Sequence, residues 1–170
     1  MRKLLLVFFV LLGSSSLFSQ INLLEKEQQI KSKFDRLVLA DTDSLKLSIC
    51  NEIENIFSDL LVEEQSFDYP FSELSKMGKL ISPDQKFRIF NWNCVLDDGT
   101  YRYFGLLQIK LKKSTRVEVL HDAKLVADMF HQYPAVNWPG ALYYQIIPFK
   151  AKSGNSYFLL GWDGNDFRTN

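Results

Sequence analysis

The sequence predicts an α+β domain, an N-terminal helical hairpin packed on one face of a mainly antiparallel, meander-like sheet of about five strands. Three observations carry this. Apolar residues recur at helical spacing through 22–62, an Asp98-Gly99 pair sits between two runs of aromatic and β-branched residues, and further alternating runs continue to Trp162. The domain is expected over 20–170, with a helical part at 22–62, a connector at 63–82 and the sheet at 83–167.

Residues 1–19 are expected to be a secretory signal peptide. Arg2 and Lys3 precede the apolar run from Leu4 to Leu12, and Gly13, three serines and the small residue Ser19 lie beyond it. The run is short for a bilayer span and the chain behind it is polar, so cleavage near Ser19-Gln20 should leave an extracytoplasmic domain, periplasmic or secreted, that does not span the membrane.

From Asn22 to about Leu39, Leu23, Ile30, Phe34 and Leu37 form the stripe of an amphipathic helix. Asp41-Thr42-Asp43 interrupts it. Asp43 is the expected N-cap of a second helix with the stripe Leu45, Ile49, Ile53, Ile56, Phe57 and Leu60, ending near Val62. Phe67 to Pro83 reads as an aromatic connector with a short helical turn closed by Gly78.

The central hairpin is expected within Ile81 to Leu111. A two-residue type I′ turn at Asp98-Gly99 sets Leu96 opposite Tyr101, Cys94 opposite Tyr103, Trp92 opposite Gly105 and Phe90 opposite Leu107 on one apolar face. On that register Gly105 leaves room for the Trp92 ring. The other face mixes Ile89, Asn91, Asn93 and Val95 with Gln108, Leu106, Phe104 and Arg102, and is expected to be half exposed.

Beyond it, Thr115 to His121 reads as a third strand. Asp122 should cap a short helix with Leu125, Val126, Met129 and Phe130 on its apolar side, and Ala141 to Lys150 with Ser156 to Trp162 should form a second hairpin around Ser153-Gly154-Asn155. The chain stops just after Asp163-Gly164-Asn165-Asp166, a turn that normally leads into another strand. A shortened version of a longer protein, with an unpaired edge, is therefore expected.

Removing Arg2 and Lys3 with the leader leaves 18 basic and 20 acidic residues, a net charge of −2, with no basic block dense enough to follow a phosphate backbone. Nucleic acid is not an expected partner. Nucleophile elbow, P-loop, Gly-rich dinucleotide turn, HExxH and CxxC are all missing from the sequence, so no catalytic residue, metal or cofactor is assigned. His121 and His131 stand ten residues apart with a predicted helix between them, whereas a metal site needs three or four converging ligands. Asp97 with Asp98, and Asp163 with Asp166, sit in Gly-containing turns, a simpler reason for carboxylates there than glycoside hydrolysis or Ca²⁺ binding.

Each tryptophan adjoins an amide or a carboxylate, in Asn91-Trp92-Asn93, Asn137-Trp138 and Trp162-Asp163, a pairing that can stack on a sugar ring and bond its hydroxyls. Adjacent strand residues point to opposite faces, which removes Trp92. Trp138 and Trp162 with Asp163, at turns, and Asn91, Asn93 and Arg102, on the mixed face, are the expected binding residues. The function this supports is an exported non-catalytic binding or interaction domain for a small ligand, a glycan or a protein. The alternative is a secreted hydrolase using His121, Asp163 and Asp166. Cys50 and Cys94 form either a disulfide, which an oxidising compartment permits, or two buried free thiols.

The runs SPDQKFRIFNWN, GALYYQIIP and LLGWDGND resemble motifs in a group of uncharacterised exported proteins of Bacteroidota, over Ile81 to Asp166. Members of that group continue past the WDGN turn, which implies a shortened chain here. The group has no assigned activity, so the resemblance transfers no functional residue.

Overall fold

The computed structural model describes residues 22–123, 134–152 and 154–165. The expected leader 1–19, the stripe Leu125 to Phe130, His131, Ser153 and Asp166 lie outside the described residues.

Two helices come first, α1 over 22–38 and α2 over Asp43–Leu61. Leu23, Ile30 and Phe34 of α1 and Ile49, Ile53, Phe57 and Leu60 of α2 are buried, as both stripes require. The cap of α2 is Thr42, one residue before the expected Asp43: its backbone is extended and its Oγ1 accepts from Leu45 N at 3.4 Å. Asp43 instead begins the helix, and its carboxylate accepts from Asp97 N at 2.8 Å.

An antiparallel sheet follows in the order β1 (Gly78–Ile81), β2 (Phe87–Val95), β3 (Tyr101–Lys110) and β4 (Thr115–His121). β5 (Leu142–Ala151) and β6 (Gly154–Trp162) pair only with each other among the described residues. The α+β class is the expected one, with helices leading and an antiparallel sheet behind. The strands divide differently, into a four-stranded sheet and a separate two-stranded one. Gly78, expected to end a helical turn, instead opens β1. After β4, Trp138 makes a parallel bridge to Asp122 and its carbonyl accepts from Ala123 N at 2.8 Å, so the chain returns across the sheet and does not extend its edge.

The hairpin register is one residue away from the expected one. Leu96 N donates to Thr100 O at 2.8 Å and Gly99 N donates to Leu96 O at 2.9 Å, a three-residue loop of Asp97, Asp98 and Gly99, with Gly99 at φ 80°. Asp97 is tied to α2 through Asp43 and through Lys46 at 2.7 Å, while the Asp98 carboxylate accepts from the Thr100 amide at 2.9 Å and hydroxyl at 2.6 Å. These bonds favour the longer loop. Phe90 consequently faces Leu106, Trp92 faces Phe104, Cys94 faces Arg102 and Asn91 faces Gly105.

Phe90, Trp92, Cys94, Phe104 and Leu106 form the face that packs on the helices. Phe57 meets Phe71 at 5.0 Å and Phe90 at 4.8 Å edge-on, and Trp92 stacks on Phe104 at 5.6 Å. The connector is anchored from the same face. Arg88, buried, donates through Nη1 to the carbonyls of Ser66 at 3.1 Å, Phe67 at 2.7 Å and Tyr69 at 2.8 Å, and burial pulls its pKa down to about 10. Gln108 Nε2 and the Thr115 hydroxyl donate to Leu61 O, satisfying a carbonyl that the end of α2 leaves open. Among the described residues, no helix is long and apolar enough to cross a membrane.

Candidate functional site

The second face of the sheet, away from the helices, is partly roofed by the β5–β6 hairpin. Between them lies a cleft of about 910 Å³. Ile89, Leu107, Ile109 and Leu120 supply its floor, and Tyr143, Tyr157 and Leu159 its roof. The alternation of β6 explains the roof: Asn155, Tyr157, Leu159 and Gly161 share one side of the strand, and the bulge between Tyr143 and Gln145 returns Tyr143 to the same side of β5.

Trp138 closes one end. Gly105 makes its position possible, because a β-carbon there would lie 3.3 Å from Trp138 Cη2 and 3.0 Å from Leu120 Cδ1. The Trp138 indole donates to the Tyr143 hydroxyl at 2.8 Å, and burial pushes the Tyr143 pKa up. At the other end the Tyr157 hydroxyl donates to Asp84 at 2.6 Å and its ring meets Phe87 edge-on at 4.8 Å. That hydroxyl is the chief cause holding Asp84 well below the usual carboxylate range, and the same bond raises the Tyr157 pKa.

The charged groups on the cleft's rim are already paired, Lys86 with Asp84 at 3.1 Å and Glu118 with Arg116 at 3.0 Å. Among the described residues, no three His, Cys, Asp or Glu side chains gather as metal ligands. The cleft therefore offers an apolar surface with hydrogen-bonding groups at its ends, a setting for holding a molecule.

Of the sequence-predicted residues, Trp138 lines this cleft. Asn91 lies on the same sheet face but is buried, its Nδ2 3.5 Å from Tyr143 O and its Oδ1 without a hydrogen-bond partner. Asn93 is half-buried opposite Tyr103. Arg102 is opposite Cys94 on the helix-facing side, so the expectation that Asn91, Asn93 and Arg102 share one surface is corrected by the register of the three-residue loop. Trp162 packs edge-on against Tyr101 at 5.0 Å.

Asp163 belongs to a turn that finishes the edge of β3. The Tyr101 amide donates to Asn165 Oδ1 at 2.7 Å, Asn165 Nδ2 donates to Tyr101 O at 2.8 Å, and Gly164 N donates to the Tyr103 hydroxyl at 2.7 Å. Asp122 takes the Tyr103 amide at 3.0 Å. The WDGN turn thus covers backbone groups that β4, whose pairing with β3 begins at Phe104 opposite His121, does not reach. His121 lines a separate recess with Glu54 and Arg102.

Sequence reasoning missed the cleft's floor and the Tyr157 to Asp84 bond that ties its roof to the sheet. Ile89 was expected on the half-exposed mixed face and Leu107 on the apolar face opposite Phe90, and nothing in the sequence pointed to a second wall. Comparison with known proteins gives no match to a family model, a curated protein or a solved structure.

Proposed function

We propose that this chain is an exported, non-catalytic binding domain that holds a small molecule with an apolar body and a neutral hydrogen-bonding end in the cleft between the sheet and the β5–β6 hairpin. The observation that carries this is a cleft of about 910 Å³, within the usual size of small-molecule sites, with an aliphatic floor and tyrosines at its ends. A neutral end is favoured because Lys86 and Glu118 on the rim already have charged partners. Export rests on the leader-like sequence of residues 1–19.

The test is titration of the 20–170 protein with N-phenyl-1-naphthylamine, a neutral apolar fluorescent probe. Saturable binding is expected, weakened at least tenfold by Leu159→Trp, which fills the cleft, and unchanged by Phe158→Ser on the outer side of the same strand. Loss of binding in Phe158→Ser with full binding in Leu159→Trp would place the apolar site on the outer face and overturn the proposal.

A further inference from the structure

A second recess, of about 310 Å³, opens between α2 and the adjoining ends of β3 and β4. It is unlike the apolar cleft because opposite charges face each other across it. Arg102 and His121 enter from the sheet, Glu54 and Asn51 from α2, and Leu47, Leu96 and Phe104 give it apolar walls. We propose that this recess binds a free α-amino acid with an apolar side chain, its carboxylate on Arg102, its ammonium on Glu54 and its side chain against Leu47, Leu96 and Phe104.

The state of the two charged groups carries the argument. The Arg102 side chain is 29% exposed and, among the described residues, its guanidinium donates no hydrogen bond; its ion pair with Asp122 is long, at 3.8 Å, and that carboxylate oxygen also accepts the Tyr103 amide. A planar fork of five donors whose one ion pair, with the Asp122 carboxylate in the lining of the same recess, is long and makes no hydrogen bond has donors left for a ligand carboxylate. Glu54 is half-buried and, among the described residues, makes neither a hydrogen bond nor an ion pair within 4.0 Å. Burial pushes the Glu54 carboxyl up, and the nearby His121 and Arg102 draw it back. Two opposite charges that share a recess and do not bond each other leave room for a molecule carrying both charges. The recess lies at the small end of ligand sites, which suits an amino acid better than a sugar chain or a cofactor.

Three probes separate the charges: L-leucine, L-leucinamide, which lacks the carboxylate, and N-acetyl-L-leucine, which lacks the ammonium. Titration followed by ¹⁵N NMR should show saturable shifts at Arg102 Nε, Asn51 and His121 with L-leucine, and at least tenfold weaker binding of the other two. Glu54→Gln should weaken L-leucine at least tenfold and leave N-acetyl-L-leucine unchanged; Arg102→Gln should do the same with L-leucinamide unchanged. Circular dichroism of both variants should match the parent protein. Equal binding of all three probes, affinities unmoved by both substitutions, or no saturable shift with L-leucine would each overturn the proposal. The naphthylamine probe reads the other cleft, so either site can fail alone.

Discussion

Cys50 on α2 and Cys94 on β2 meet thiol to thiol in the core, both buried and both free in this structure. Their bond polarises them: the Cys50 thiol is pushed up by its bond to Cys94 and by burial, and Cys94 is drawn down by the Cys50 hydrogen bond. Trp92 Nε1 is buried without a hydrogen-bond partner, and its proximity draws the Cys50 thiol part of the way back down. Joining the sulfurs releases two protons and two electrons, which a disulfide oxidant such as oxidised glutathione accepts. Refolding with that oxidant is expected to give a protein two hydrogens lighter. Closing this loop adds stability of about 4 kcal/mol in the chain-entropy picture. The thermal midpoint should rise, fall back with reductant, and ignore both in Cys94→Ser. A bridged protein, verified by mass, whose midpoint does not respond to reductant would contradict the expectation.

The Tyr157 to Asp84 bond is the latch of the hairpin, because it joins β6 to the turn between β1 and β2. Tyr157→Phe should speed amide exchange over 142–162 while leaving β2 and β3 protected, and should weaken the naphthylamine probe. The pH dependence follows from the shifts. Asp84 has a lowered pKa in the fold, so its contribution is complete above the ordinary carboxylate value and is lost as pH falls from that value through the lowered one. Tyr157 has a raised pKa, so its part is lost as pH rises through that value. Hairpin protection that does not fall as pH drops below about 4 in the parent protein would be inconsistent with this bond.

Glu27 stands on the buried stripe of α1 between Leu23 and Ile30, where it accepts from the Tyr69 hydroxyl at 2.7 Å and from Glu73 N at 2.8 Å. Replacing it by Ala strands two donors, at a cost of about 1–3 kcal/mol in chemical denaturation. Burial and the Glu27 bond raise Tyr69 to about 12. Since an unfolded tyrosine ionises near 10, the stabilisation is whole below that value and is lost between about 10 and about 12. Tyrosinate absorbance should lose one of its late-titrating residues in Tyr69→Phe.

The two helical stripes were legible because a 3.6-residue period survives in the order of Leu23, Ile30, Phe34 and of Ile49, Ile53, Phe57, whatever they pack against. Glu27 was not, since its partners come from a connector more than forty residues away. Asp97-Asp98-Gly99 suits both a two- and a three-residue loop; the choice rests on Asp43 and Lys46 of α2, which local sequence cannot place beside it. That single residue of register moved Arg102 away from Asn91 and into the recess with Glu54. The cleft was illegible for a related reason: β5 and β6 read as a hairpin, but nothing in their alternation said whether they extend the sheet or cover it.

Gly105 tests the register and the cleft together. In the pairing expected from sequence its missing side chain makes room for Trp92, in the core; in the structure it faces Asn91 and makes room for Trp138 and Leu120, at the cleft. Gly105→Ala brings a methyl group to 3.0 Å from Leu120 and 3.3 Å from Trp138, and overpacking of this kind costs about 1–3 kcal/mol. The expected outcome is a shifted Trp138 resonance and weaker naphthylamine binding, with Trp92 and Phe104 resonances unmoved. Double substitution with Leu120→Ala should recover much of the loss, because it removes the closest of the crowded atoms. A variant in which Trp92 shifts and Trp138 does not would return the hairpin to the two-residue loop, and with it Arg102 to the face of Asn91.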